Sequence, residues 1–163
     1  MQLVQIAHIV GCVAPVDLNG AVRLGAHVNM SKYNHVSFIV YFGAMAAAQT
    51  VTVLAATDSL GTGGVAMGFS YRISTGGVPL LAPLNIGALT TVAGTGAVLA
   101  GTEDNEIMVI EMDAAELIAP ATNYYVGVNL SNSASVTLAS VVAVCLEPRW
   151  QADPDLMPDP TVA

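Results

Sequence analysis

The segment Val36-Ser37-Phe38-Ile39-Val40-Tyr41-Phe42 decides the fold class. In an extended chain, the side chains at 36, 38, 40 and 42 fall on one face, and those at 37, 39 and 41 fall on the other. β-Branched and aromatic residues with a period of two are typical of a β-strand. Gly43 marks the end of this strand. The segment therefore predicts a strand with one continuous apolar face.

Similar segments recur along the chain at the regular spacing of a β-sandwich or barrel. Further strands are predicted at Leu3–Val13, Ala21–Val28, Thr50–Ala55, Ala66–Ser74, Thr90–Val92, Glu106–Met112, Tyr124–Leu130 and Val136–Leu146. Pro15–Gly20 and Gly43–Gln49 are interpreted as links, Gly68 as a bulge, and Gly76–Gly101 as holding one or two short strands. The sequence thus predicts an all-β, single-domain protein of about eight short strands over residues 1–150, with residues 1–15 as an arm or edge strand.

Helix is predicted at only one place. Asp113-Ala114-Ala115-Glu116 has the spacing of a capping box and can start one helical turn. Pro120 limits the length of that turn. No other segment shows a sustained helical period.

The C-terminal residues 151–163 differ from the rest of the chain. Pro154, Pro158 and Pro160 remove backbone donors, so this segment cannot pair as a central strand. We interpret it as an extended arm. Its apolar pair Leu156 and Met157 predicts a contact with a neighbouring subunit or another surface, with a fold-back onto its own subunit as the alternative.

The composition is unusually poor in charge. Lys and Arg total 4, charged residues make up 10% and hydrophobic residues 54% of the chain, against about 25% charged residues in an ordinary domain. Three stretches, Tyr33–Thr57, Ile73–Thr102 and Leu117–Leu146, carry no charged residue, but polar residues, Gly or Pro interrupt each one. A membrane span is therefore not predicted. We expect instead that the chain buries apolar surface against other chains, as a homo-oligomer.

Charge and cysteine content restrict the partners further. A formal net charge of −8 with four scattered cations excludes the basic patch that nucleic acid requires. No basic region precedes an apolar run at the N-terminus, so we expect synthesis in a reducing cytoplasm. Cys12 and Cys145 are predicted to be buried free thiols, with a disulfide between the first and last strands left open.

No motif predicts catalysis, a cofactor or a metal. His8, His27 and His35 lack the spacing of zinc ligands. The acidic stretch 103–116 lacks the spacing of a calcium loop, and we interpret it as a solvated loop and strand end. No Ser lies in a Gly-x-Ser-x-Gly elbow; composition leaves a Ser-His-Asp triad open, but no motif indicates one.

The candidate functional residues lie at the end of the last strand, where the arm begins. Pro148, Arg149 and Trp150 form this junction, and Trp and Arg are favoured at interface hot spots. Trp150 is interpreted either as a cap on the core edge or as a subunit-interface anchor. Together with Leu156 and Met157, these residues are the predicted interface.

Residues 16–150 carry a resemblance, in Val16–Gly20, Met30–Gly43, Thr50–Asp58, Ile107–Asp113 and Ala143–Trp150. This set is similar to small head-associated virion proteins of tailed bacteriophages, which often act as capsid decoration (cement) proteins. The resemblance implies a jelly-roll-like fold, a homotrimer on the capsid exterior bound to the major capsid protein, and stabilisation without catalysis. A tail or neck subunit, for which 76–101 would supply a stacking loop, and a carbohydrate-binding jelly-roll module or enzyme remain alternatives.

Overall fold

The computed structural model describes residues 7–75, 85–102, 104–117 and 124–149. Residues 1–6 and the predicted arm 151–163 lie outside the described residues. The strands in chain order are β1 (Ala7–Asp17), β2 (Arg23–Leu24), β3 (Val28–Asn29), β4 (Tyr33–Met45), β5 (Gln49–Ala56), β6 (Val65–Met67), β7 (Phe69–Thr75), β8 (Asn85–Ile86), β9 (Thr90–Val92), β10 (Ala97–Leu99), β11 (Ile107–Asp113), β12 (Tyr125–Leu130) and β13 (Thr137–Pro148). The all-β prediction is confirmed.

The strands form two antiparallel sheets. Sheet 1 has the order β1-β13-β4-β11-β7-β8, with β9 also paired to β7. Sheet 2 has the order β10-β5-β12-β2, with β3 paired to β12 and β6 paired to β5. The chain changes sheet repeatedly, and β13, the last strand of sheet 1, lies between β1 and β4. The sequence predicted a β-sandwich or a barrel, and the two separate sheets show a β-sandwich.

The core lies between the two sheets. The face of β4 that was predicted from sequence supplies Val36, Phe38, Val40 and Phe42, each fully buried. They pack in one cluster with Met108 and Ile110 of β11, Val141 and Ala143 of β13, and with Val51, Val53, Val126 and Val128 from sheet 2. Each fully buried aliphatic or aromatic side chain stabilises the fold by about 1.5–3 kcal/mol.

Several predicted boundaries are wrong, and β1 shows the physical reason. The strand continues through Pro15 to Asp17 because its pairing with β13 has register shifts between Gly11 and Val13 and between Val13 and Val16. A proline is tolerated at such a bulge, where no ladder donor is required. Pro15–Gly20 is therefore only partly a link. β4 likewise extends through Gly43 to Met45, into the second predicted link.

Gly68 separates two strands that the sequence predicted as one. β6 pairs with β5 in sheet 2, whereas β7 pairs with β11 in sheet 1, so the chain crosses between sheets at this glycine. A Cβ at Gly68 would lie 3.1 Å from the Val92 carbonyl oxygen. The close approach of backbone to backbone explains the glycine.

The described part of the predicted segment Gly76–Gly101 contains β8, β9 and β10, one strand more than the upper expectation. The predicted Ala21–Val28 strand is instead the two-residue strands β2 and β3 with a loop between them. Short strands of this kind raise the number of strands from about eight expected to thirteen among the described residues. The predicted helical turn is present as a 3-10 turn at Ala114–Glu116, where the Asp113 N–H donates to Glu116 Oε2 at 2.9 Å. Among the described helices, none has the length and apolar content needed to cross a membrane.

The centre of sheet 2 is covered on its outer side by loops of the same chain. The His27 side chain is fully buried and lies over Gly127 of β12, where an added Cβ would come within 2.6 Å of the imidazole ring. Its Nδ1 lies 2.9 Å from the Gly25 carbonyl oxygen, so Nδ1–H is the donor. Gly61, at φ +83°, brings a second loop against the same ring and against Leu24. The outer side of sheet 2 is thus closed at its centre.

Candidate interaction surface

The outer face of sheet 1 remains open in the described part of the chain. Along β13, buried residues alternate with partly exposed ones, from Thr137 to Cys145. Cross-strand pairing joins the outward residues into rows: Ile9 lies opposite Val144, and Val144 opposite Ser37. In the next row Val142 lies opposite Ile39, and Ile39 opposite Val109.

We call the outward residues of β1, β13, β4 and the start of β11 the uncharged strip. Its members are Ile9, Gly11, Ser37, Ile39, Tyr41, Ile107, Val109, Leu138, Ser140, Val142, Val144 and Leu146. None of these twelve residues is ionised at neutral pH, and nine are aliphatic or aromatic. Ile9, Tyr41 and Leu138 are 47%, 44% and 43% exposed.

The size of the strip follows from strand geometry. Residues 138–146 span about 27 Å at about 3.4 Å per residue, and four strands spaced about 4.8 Å apart give a width of about 19 Å. The resulting area is about 500 Å², in the range of the largest apolar patch on a typical monomer, which is often functional. The strip is therefore the best candidate interaction surface in the described structure.

Beside the strip, towards β7, the outer face becomes polar. His35 of β4 lies opposite Asp113 of β11, and His35 Nδ1 is 2.7 Å from Asp113 Oδ1. The Ser37 Oγ lies 3.3 Å from the other imidazole nitrogen, Nε2. A cavity of about 420 Å³ adjoins this chain of groups, and its lining includes His35, Arg72, Glu111, Asp113 and Glu116.

The three side chains Ser37, His35 and Asp113 are connected in the order of a hydrolytic triad, which no sequence motif indicated. Its surroundings do not suit acyl transfer, because Glu111 lies directly opposite Ser37 in the β4–β11 register. A carboxylate at that position would repel the oxyanion that forms when a serine attacks a carbonyl, whereas such sites need hydrogen-bond donors there. We interpret these three side chains as a polar cross-strand contact at the edge of the uncharged strip.

The junction with the arm lies at the same end of sheet 1. Pro148 lies opposite Tyr33, and the Arg149 N–H donates to the Lys32 carbonyl oxygen at 2.9 Å. Between them and the strip stands Glu147, whose φ of +54° is in the left-handed region. A non-glycine residue costs about 1–2 kcal/mol in that conformation. A kink is therefore held at the place where the last strand passes into the arm.

Of the five interface residues predicted from sequence, the structure places two. Pro148 is half-buried and Arg149 is exposed, beside a cavity of about 410 Å³ that Asn34, Asp113 and Glu147 also line. Trp150, Leu156 and Met157 lie outside the described residues. The sequence did not predict the uncharged strip, although Ile39 and Tyr41, on the second face of the 36–42 segment, are members of it. The pairing of His35 with Asp113 depends on a register that sequence spacing does not encode.

The two thiols are free, and the register shows why they do not pair. Cys145 lies opposite His8, four residues from Cys12 along β1, which separates the Cα atoms by about 13 Å. A disulfide requires Cα atoms within about 7 Å. Burial raises the pKa of Cys12 to about 11 and that of Cys145 to about 12, so both remain protonated thiols at neutral pH.

Comparison with known proteins gives no relative: no protein-family model, no curated protein and no solved structure matches the chain.

Proposed function

We propose that this chain is a non-enzymatic structural protein of a tailed-bacteriophage virion, which binds the major capsid protein on the capsid exterior and stabilises the shell as a homotrimeric decoration protein. The observation that carries the proposal is the uncharged strip on the outer face of sheet 1. An open apolar sheet face of about 500 Å² suits a chain that works in contact with other chains. The resemblance of residues 16–150 to head-associated proteins supports assigning those chains to a bacteriophage head.

The strand order supports a jelly-roll interpretation of the sandwich. Four strands of sheet 1, β1-β13-β4-β11, stack on four of sheet 2, β3-β12-β5-β6. The chain visits them in the sheet order 1, 2, 1, 2, 2, 1, 2, 1, as expected for two Greek keys wound across two sheets. β7 to β10 are then additions between β6, the fifth of these eight strands, and β11, the sixth. The jelly roll is a frequent fold of viral capsid domains, although fold alone does not assign function.

The magnitudes fit a protein that acts in many copies. Burying about 500 Å² at about 25 cal/mol per Å² gives at most about 12 kcal/mol. Association costs about 4–15 kcal/mol in lost translational and rotational freedom, so one such contact is marginal. Linking several copies in an oligomer that binds a repeating surface converts marginal contacts into stable attachment.

The test is a binding experiment on virus heads encoded by the genome that carries this gene. Heads grown without this protein should bind the purified chain in an integral number per capsid protein, and should then resist heating to a higher temperature. Cryo-electron microscopy should place the added density on the outer surface of the shell. Density at the neck or in the tail instead would contradict the proposal in favour of a tail subunit, and absence from the particle would reject both.

The heads also provide a control for the strip. Leu60 is an apolar residue that is 79% exposed and lies in the loop over sheet 2. Leu60→Asp changes an exposed apolar residue away from the strip, and should leave head binding intact. Ile39→Asp, in the centre of the strip, should weaken head binding by at least tenfold if assembly depends on that face.

A further inference from the structure

We infer that the uncharged strip of one copy is the docking site for the C-terminal segment 150–163 of a second copy. The inference rests on the self-association contained in the proposed function, and it assigns that self-association to a particular surface and a particular segment.

The segment after Arg149 is long enough to lie along such a strip. Three residues separate it from Leu146, the last member of the strip on β13. Leu156 stands seven residues beyond Arg149 and can reach about 24 Å in an extended chain. The strip is about 27 Å long from Leu146 to Leu138. The length of the segment therefore matches the length of the surface.

The chemistry of the segment also matches the strip. Segment 150–163 carries Trp150, Leu156 and Met157, and its charged residues are Asp153, Asp155 and Asp159. It contains no cation, so a surface that already carries carboxylates would repel it. The strip offers apolar side chains without any charge. The neighbouring polar part of the outer face carries two carboxylates, Glu111 and Asp113, and one cation, Arg72, which already donates to the Gly87 carbonyl oxygen. The apolar residues of the segment therefore match the strip better than the polar part.

Its prolines suit binding to an open face without strand pairing. Pro154, Pro158 and Pro160 hold their φ near −65° and lack N–H donors, so the segment loses less conformational entropy on docking than an ordinary chain. Side chains, not ladder hydrogen bonds, would supply the contact.

The direction of the chain assigns the strip to a second copy. Pairing of β13 with β4 resumes after the kink at Glu147, since Pro148 lies opposite Tyr33 and the Arg149 N–H donates to Lys32. The chain is therefore still running in the direction of β13 at Arg149, away from the strip of its own subunit. Docking on that strip would require the chain to reverse its direction soon after Arg149, whereas docking on the strip of a second copy requires no such reversal.

The experiment is a complementation between two variants, each of which should be unable to self-associate. The first is the chain that ends at Arg149, which keeps the strip but lacks the segment. The second is full-length Ile39→Asp, which keeps the segment but has a carboxylate in the centre of its strip. Circular dichroism verifies that each variant is folded, and sedimentation velocity at micromolar concentration measures assembly. Leu60→Asp in the full-length chain is the matched control for an added surface carboxylate.

We expect each variant alone to sediment as a monomer, the Leu60→Asp control to assemble like the unaltered chain, and a mixture of the two variants to form a 1:1 complex. Replacing Leu156 and Met157 by Ser in the second variant should weaken that complex at least tenfold. The inference is overturned if the mixture stays monomeric, or if the chain ending at Arg149 assembles as well as the full-length chain.

The measurement uses purified protein without virus heads, so its failure is distinct from failure of the proposed function. A 1:1 complex together with no head binding would reject the capsid proposal and leave the docking of the segment standing.

Discussion

Gly127→Ala tests whether the outer side of sheet 2 is closed as tightly as the structure shows. The added Cβ would lie 2.6 Å from Cγ and Nδ1 of His27, whose side chain is fully buried. Overpacking of this kind costs about 1–3 kcal/mol. Displacing the ring also breaks its hydrogen bond to the Gly25 carbonyl oxygen, and a buried group that loses its partner costs about 1–3 kcal/mol. The lower conformational entropy of the unfolded chain offsets about 0.4–1 kcal/mol of this loss.

The net expectation is a loss of about 3 kcal/mol in the free energy of unfolding, measured by urea denaturation at a fixed protein concentration. Gly11→Ala is the matched control, since it is also a glycine within a strand, and an added Cβ there meets no atom within 4 Å. That variant should change stability by between zero and a gain of about 1 kcal/mol. If the two variants differ by less than about 1 kcal/mol, the reasoning about the His27 contact is refuted. In the double variant His27→Ala/Gly127→Ala, the losses should be less than additive, because the clash disappears with the ring.

Three further expectations follow from other parts of the structure. The free energy of unfolding should be greatest between about pH 7 and 9. Burial lowers the pKa of His27, and hydrogen bonds from Asn19 and Thr62 lower the pKa values of Asp17 and Asp58. The stability that these three groups contribute is present above their unfolded pKa values, so it is lost first below about pH 6.5 for His27 and then below about pH 4 for the two carboxylates. On the alkaline side, the raised pKa values of Cys12 and Cys145 should make stability fall as the pH rises from about 9 towards 11, and replacing both by Ala should flatten this limb of a pH series of urea titrations. Ser37→Ala should leave the hydrolysis of activated esters at the rate of the unaltered chain, and a drop of tenfold or more would show that the Ser37–His35–Asp113 chain is catalytic.

The residues that were predictable from sequence are those whose signal lies within one strand. Val36, Phe38, Val40 and Phe42 face the core because alternation along a strand fixes their side. The 3-10 turn at Ala114–Glu116 was predictable because a capping box is a local contact. Pro15 shows the opposite case, since its position within β1 depends on a bulge against β13, more than a hundred residues away in sequence.

The interaction surface was only partly predictable for the same reason. The charge-poor composition predicts apolar surface outside the core, but it does not indicate which face carries that surface. That assignment required the register of β1, β13, β4 and β11, because only cross-strand pairing joins Ile9, Val142 and Ile39 into one surface. Local alternation gives each strand two faces, and only the sheet shows which outward faces are adjacent.

The two sheets differ in how much of their apolar outer face the chain itself covers. At the centre of sheet 2 the chain covers its own outer face, with His27 packed over Gly127 and the loop at Gly61 packed against His27. On sheet 1 no described segment covers the strip, although Val142, Val144 and Ile39 are as apolar as core residues. A sheet face of that composition is stable in water only at a cost that a second surface would relieve. Segment 150–163 follows the last strand of this sheet in the sequence and carries apolar residues of its own, and this is why we expect assembly and the C-terminal segment to depend on each other.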